Sequence, residues 1–423
     1  MVNSVSSGEL CLVRFRDNPI TRVQNMTSQI AIINGFGVAL ASDSAMTLGE
    51  TRIYDTAEKM VPLPLPHRIA VMHAGRVRIG NLPYSVLVSE WARQLGNKAL
   101  RSADAYAKSF QDWLSNNPQW FPVNPQQSDA LSFIESRADA IVGHYQANRE
   151  NDENYQFADL LSRWTSEVQE LPRLEGMTAV AALATFEKHK DQIEELLNEY
   201  LAPVVGPDYP KDSFLNYCAE FFSSSWMTNA TLTFAGYGEQ EIYASYVSIR
   251  FHGFVDGRLS WIKGDSYALS PETNPLMAIS LPAQRDAIDQ YLKGYDTQMI
   301  DEIIERSDQE RYELLNSIRE KFEGDDQLLE KLDKAVEETL AQFETQLPHT
   351  AGEYSERNYL VSLRRALAAL PAASLVEVAR SLIELQALRK TTTAQADTVG
   401  GPIDVALITP TDGFVWIRHK SIS

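Results

Sequence analysis

The chain has 423 residues, 44% of them hydrophobic and 22% charged, the composition of an ordinary globular protein with room for two or three domains or for one core with large insertions. Lys and Arg number 38 against 57 Asp and Glu, a net charge of −19 that repels phosphate backbones and anionic lipid surfaces and argues against nucleic-acid and membrane partners. Cys11 and Cys218, two cysteines in all, make neither a disulfide framework nor a metal set, and no apolar run approaches the roughly eighteen residues of a membrane span. The apolar stretch at 10–13 is cut short by Arg14, Arg16 and Asp17 before a signal-peptide core can form, so a cytoplasmic location is expected.

Residues 1–26 read as a propeptide, an extra ordered segment, or the result of placing the start at Met1 rather than Met26. Two β-rich runs follow, from Thr27 to Ser44, around the turn Asn34-Gly35-Phe36-Gly37, which predicts a hairpin. Although Gly35-Phe36-Gly37 begins like a dinucleotide-binding loop, Leu40 stands where a third glycine is needed and no helix is predicted after it. Pro62, Pro64 and Pro66 exclude helix and central strand, which leaves an extended connection. A strand at 68–73 then meets Ala74-Gly75. Apolar residues at 84, 87, 88, 91 and 95, bounded by Pro83 and Gly96, predict a core-facing helix. Irregular helices are expected at 103–114, 128–149, 157–171, 176–199 and 211–226, with Trp113, Trp120, Trp164 and Trp226 forming a small core of their own.

Strand character returns at 230–238, 242–251 and 259–262, with a turn at Val255-Asp256-Gly257-Arg258, as an antiparallel meander. Further helices are expected at 282–292, within 297–346, at 355–370 and at 374–385, before a closing hairpin at 403–419. Early and late strands around inserted helices suggest one α+β domain. Its parts are an extension at 1–26, core at 27–96, a helical insertion at 97–226, core strands and a helix at 227–292, a second helical insertion at 293–372, and the closing core at 373–423.

Thr27 is the pivot of the chemistry. A threonine at a chain's N-terminus carries its own base, because an α-amine with a pKa of about 7.7–8.0 accepts a proton at neutral pH. Asp43 lies sixteen residues after Thr27, and Lys59 sixteen after that. Lys59 as an ammonium would keep the amine neutral and stabilise developing negative charge, Asp43 would keep Lys59 charged, and the Gly75 N–H could face an oxyanion. Ser44 could orient Asp43. His73 alternates with core residues and reads as structural.

In these motifs, the hairpin, the Thr27–Asp43–Lys59 spacing and the strand ending in Ala74-Gly75, the chain resembles proteasome β subunits and their bacterial proteasome-like relatives. The resemblance covers roughly 27–96, 230–292 and 375–420. It implies a four-layer αββα Ntn-hydrolase sandwich, here with large helical insertions, and a cytoplasmic threonine peptidase or amidase that needs no cofactor or metal. Its substrate would be a peptide or a small amide, and the chain would assemble as a homo-oligomer. Residue by residue, Thr27 matches the nucleophile, Asp43 the aspartate that pairs the lysine, Lys59 the catalytic lysine and Gly75 the oxyanion-hole glycine. Ser280 and Asp397 match supporting residues. Two departures stand out: Gly400 replaces an expected serine, and Met26 replaces the glycine that usually precedes the nucleophile. A silent scaffold that binds protein partners is the rival reading, and a small-molecule amidase or acylase of the same class is another.

Overall fold

The computed structural model describes residues 27–48, 52–54, 56–121, 123–151, 153–283, 285–321, 326–392 and 400–420. Its two large sheets are built from strands β1 (Gln29–Asn34), β2 (Gly37–Ser42), β3 (Met60–Pro62), β4 (Arg68–Gly75), β5 (Ala230–Tyr237), β6 (Ser245–Val255), β7 (Arg258–Ala268), β8 (Met277–Ser280), β9 (Asp404–Thr409) and β10 (Gly413–Arg418). Two five-stranded antiparallel sheets result, one in the order β8-β1-β2-β9-β10 and the other β7-β6-β5-β4-β3. Each sheet joins strands from both ends of a long helical excursion, so neither can form until residues far apart in sequence meet.

Alternation along the strands sorts side chains to two faces. Ala31, Ile33, Val38, Leu40, Ala406 and Ile408 of the first sheet share one apolar core with Met60, Ala70, Met72 and Ala235 of the second. Intervening residues face helices. Ile30, Ile32, Ala39 and Ala41 pack with α8 (Asp286–Lys293), α11 (Val361–Ala369) and α12 (Ala372–Thr392), whereas Ile69, Val71, Leu232 and Phe234 pack with α1 (Tyr84–Leu95) and α2 (Ala103–Ser115). The result is a mixed α+β protein in which the central strands of both sheets are buried on both faces, whereas β7 and β10 at the edges are partly exposed.

The hairpin predicted at the front is β1–β2, closed at Gly35-Phe36, where the Phe36 N–H donates to Asn34 Oδ1 at 2.9 Å. Asn34 Nδ2 donates to the carbonyls of Leu367 and Leu370, both at 2.9 Å, and ties the turn to the end of α11. The proline-rich connection is an edge strand, β3, followed by coil. Helix α1 keeps its predicted ends, with Gly96 just beyond it at φ +61°.

The insertion is arranged differently from the expectation. Trp113 and Trp120 belong with the core under the second sheet, because α2 lies there beside α1. The separate helical core starts later, with α3 (Val123–Asn151), α4 (Phe157–Gln169), α5 (Ala179–Glu187), α6 (Lys190–Tyr200) and α7 (Lys211–Phe222), and Trp164 at its centre. The helix expected at 176–199 is two helices broken near His189. No pattern predicted β8, and the helix expected from 282 begins at Asp286. The second excursion holds the long helices α9 (Thr297–Lys321) and α10 (Asp326–Ser355).

Candidate functional site

Asp43 follows β2 directly and is 1% exposed, as is Lys59, and Thr27 is 4% exposed. Asp43 Oδ1 accepts from the Ser28 N–H at 2.9 Å and from Lys59 Nζ at 2.8 Å, and its Oδ2 accepts from the Gly400 N–H at 3.3 Å. In return, the Asp43 N–H donates to the Ser28 carbonyl at 3.1 Å. This reciprocal clamp fixes the chain entering β1 against the chain leaving β2, so Thr27 is held one residue from the carboxylate. Register fixes the rest: Gln29 stands opposite Ser42, and Ser42 opposite Asp404.

Lys59 comes from the second sheet, just ahead of β3. Its carbonyl accepts the His73 N–H at 2.9 Å, and Gln29 Nε2 donates to the His73 carbonyl at 2.8 Å, bridging the two sheets at this end. Burial pushes the Asp43 carboxyl up, against the pull of the Lys59 ammonium and of the Ser28 and Gly400 N–H groups. Burial likewise pushes Lys59 down, opposed by Asp43 and reinforced by the Lys420 ammonium. A buried ammonium of this kind gives up its proton more readily than a surface lysine.

His73 is pushed down to about 4, by burial first and then by the Lys59 and Lys420 charges. It is therefore neutral, and its Nε2–H donates to the Glu58 carbonyl at 2.7 Å. Gly75 ends β4 at φ +79°, a conformation that disfavours side chains, two residues past the His73 N–H that binds the Lys59 carbonyl. Ser280 ends β8 opposite Ala31, at the end of β1 from which Thr27 emerges. Its buried hydroxyl has no partner among the described residues, and neither has that of Ser28 or Ser44.

Thr27, Asp43 and Lys59 are thus brought together, with Gly75 and Ser280 at the same end of the sheets. Asp397 lies outside the described residues. Ser44 does not orient Asp43 through its hydroxyl; the Ser28 and Gly400 N–H groups do that. The position where a serine was expected contributes backbone instead, because the Gly400 carbonyl also accepts the N–H groups of Ser44 and Ala45 at 3.3 and 3.1 Å.

Sequence reasoning missed a second buried pair. Lys420 Nζ donates to Asp404 Oδ2, and Asp404 Oδ1 accepts from the Lys420 N–H at 2.9 Å and lies 3.1 Å from His419 Nδ1. The signal was present: one carboxylate opening the apolar run Val405-Ala406-Leu407-Ile408, and a lysine just past the last strand. Among the described residues no group of three or more His, Cys, Asp or Glu is placed to hold a metal ion. A scan against protein-family models finds no match to this chain, and a search of curated proteins finds none either.

Proposed function

We propose that this protein is an N-terminal-nucleophile hydrolase that cleaves amide bonds, with peptides as substrates, through Thr27 after removal of residues 1–26. The observation that carries this reading is the buried Asp43 carboxylate shared between Lys59 Nζ and the Ser28 N–H, which sets a paired ammonium beside the residue that would become N-terminal. The stacking of helices, sheet, sheet and helices fits the four-layer αββα arrangement that the resemblance implies.

In the reaction, the Thr27 α-amine takes the proton of its own hydroxyl while Oγ1 attacks the substrate carbonyl carbon. Negative charge collects on the carbonyl oxygen, toward the Gly75 N–H and the Lys59 ammonium. Collapse breaks the C–N bond, and the α-ammonium returns its proton to the leaving amine. Water then attacks the Thr27 ester with the amine again as base, releasing the acid and restoring the hydroxyl. Asp43 holds Lys59 in place and charged throughout.

The test is a chain that starts at Thr27, released from an N-terminal fusion, assayed on a panel of fluorogenic peptide amides. Thr27→Ala should reduce turnover by about 10³-fold or more, and an epoxyketone probe should add its mass at Thr27 alone. Equal turnover by Thr27→Ala, with no adduct on the parent chain, would sink the proposal.

A further inference from the structure

Gln29 opens β1 two residues after Thr27 and is 1% exposed. It has the parity of Ala31 and Ile33, so its side chain crosses toward the second sheet. There Nε2 lies 2.8 Å from the His73 carbonyl oxygen and 3.4 Å from that of Lys59, and beside its own strand it lies 3.2 Å from Ser42 Oγ. The amide nitrogen has fewer hydrogens than acceptors here, so the short bond to His73 is the firm one and the longer two are shared. Ser42 Oγ passes the contact on by donating to the Asp43 carbonyl at 3.0 Å, and the His73 N–H closes a loop on the Lys59 carbonyl at 2.9 Å.

One amide thus reaches the backbone of each segment that supplies the site: Asp43 through Ser42, Lys59 itself, and the end of β4, where Gly75 lies two residues past His73. The proposed reaction gives it no task. Asp43 grips the tip of Lys59, with Nζ at 2.8 Å, but a lysine stem is flexible and its root can shift beneath a fixed tip. Apolar packing between the sheets is non-directional and does not set that root to a fraction of an ångström. A hydrogen bond, with its narrow range of distance and angle, does. The amide also carries a cost. Its Oε1 is buried without a partner among the described residues, which an apolar side chain of similar length would avoid.

We propose that Gln29 is a positioning residue of the Thr27 site, fixing the backbone of Lys59 and of the strand end at Gly75 relative to Thr27. Asp43 holds the ammonium, and Gln29 holds the frame from which that ammonium and the Gly75 N–H reach the reacting carbonyl. The kinetic consequence rests on the proposed hydrolase, whereas the placing of Lys59 does not.

The kinetic experiment uses the chain starting at Thr27 and compares the parent with Gln29→Met, which keeps the length of the side chain and removes its donor. The epoxyketone adduct counts the competent molecules. Because small displacements of reacting groups are costly, kcat per labelled site should fall by about 10²-fold while KM stays within about threefold. Gln29→His, whose ring Nε2 can stand where the amide nitrogen does, should recover kcat to within about 10-fold of the parent. Gln29→Leu, apolar and shorter, gives the same comparison where Gln29→Met does not fold. A merely structural role would instead lower the labelled fraction and leave kcat per labelled site unchanged, and that outcome overturns the proposal. A second readout needs no activity. In full-length chain labelled in its lysine side-chain carbons, the Lys59 resonance, assigned by its loss in Lys59→Arg, should shift or split in Gln29→Met and keep its parental position in Gln29→His. A Lys59 resonance unmoved in Gln29→Met overturns the proposal as well. If the parent neither hydrolyses nor takes the probe while the resonance moves as expected, the hydrolase reading fails and the placing of Lys59 by Gln29 stands.

Discussion

At the scale of single residues, Asp43 has the most to lose. Its two oxygens take a lysine ammonium and two backbone N–H groups from segments far apart in sequence. Asp43→Asn leaves Lys59 buried without a counter-charge, which should cost about 3–5 kcal/mol in urea unfolding. Asp43→Asn/Lys59→Met removes both charges and should recover much of that loss; a double variant as unstable as the single would show that shape, not charge, sets the cost. His73 gives a pH signature. Its folded value of about 4 lies below the ordinary 6.5, so on acidification the unfolded chain takes up the proton first. The stability it contributes is whole above pH 6.5, declines as pH falls, and is gone below about pH 4, an effect of about 3 kcal/mol. Unfolding midpoints measured at pH 7 and 4.5 should converge in His73→Gln, which keeps a donor for the Glu58 carbonyl. A parent and variant with the same pH slope would assign that slope to other groups.

At the scale of elements, β4 and β5 hold the lysine side of the site, and one glycine lets them do so. Gly236 sits at φ +145°, and a Cβ there would lie 2.0 Å from the Arg68 carbonyl oxygen. Backbone cannot yield as a side-chain tip can, so Gly236→Ala should cost roughly 2–5 kcal/mol. Thermal unfolding measures this, and a variant within about 0.5 kcal/mol of the parent would contradict the strand spacing. Elements with strong local signals were legible: α1 between Pro83 and Gly96, the β1–β2 hairpin, and the Asp256-Gly257 turn between β6 and β7, where both residues take positive φ. Strand β8 was not legible. Its four residues carry no turn signal or alternation of their own, and they become a strand only because β1 offers them an edge. Helix α2 was predicted as a helix but assigned to the wrong core, since an apolar face does not name its partner.

At the scale of the whole molecule, the helices α3 to α7 enclose a core of their own around Trp164, Phe214, Tyr217 and Phe222, which touches the sheets through residues such as Val255 and Ile262. Trp164→Ala should cost about 3–5 kcal/mol there. Hydrogen exchange should quicken across 130–222 well before it does in β1, β2 and β9; uniform quickening would show instead that insertion and sheets unfold as one. The sequence by itself determined the α+β character, the hairpin that carries Thr27, the spacing of Asp43 and Lys59, and the ends of the helices with clear caps, because each of these rests on local periodicity, turn chemistry or residue type. Tertiary structure alone decided that Gly400 serves the site through its backbone, that Ser44 does not orient Asp43 through its hydroxyl, and that Asp404 pairs with Lys420 in the interior. Those outcomes depend on strand register and on chain segments more than 300 residues apart. One-dimensional spacing carries no information about which strand will stand opposite which, and so the neighbourhood of Thr27 was half visible before the sheets were seen to close.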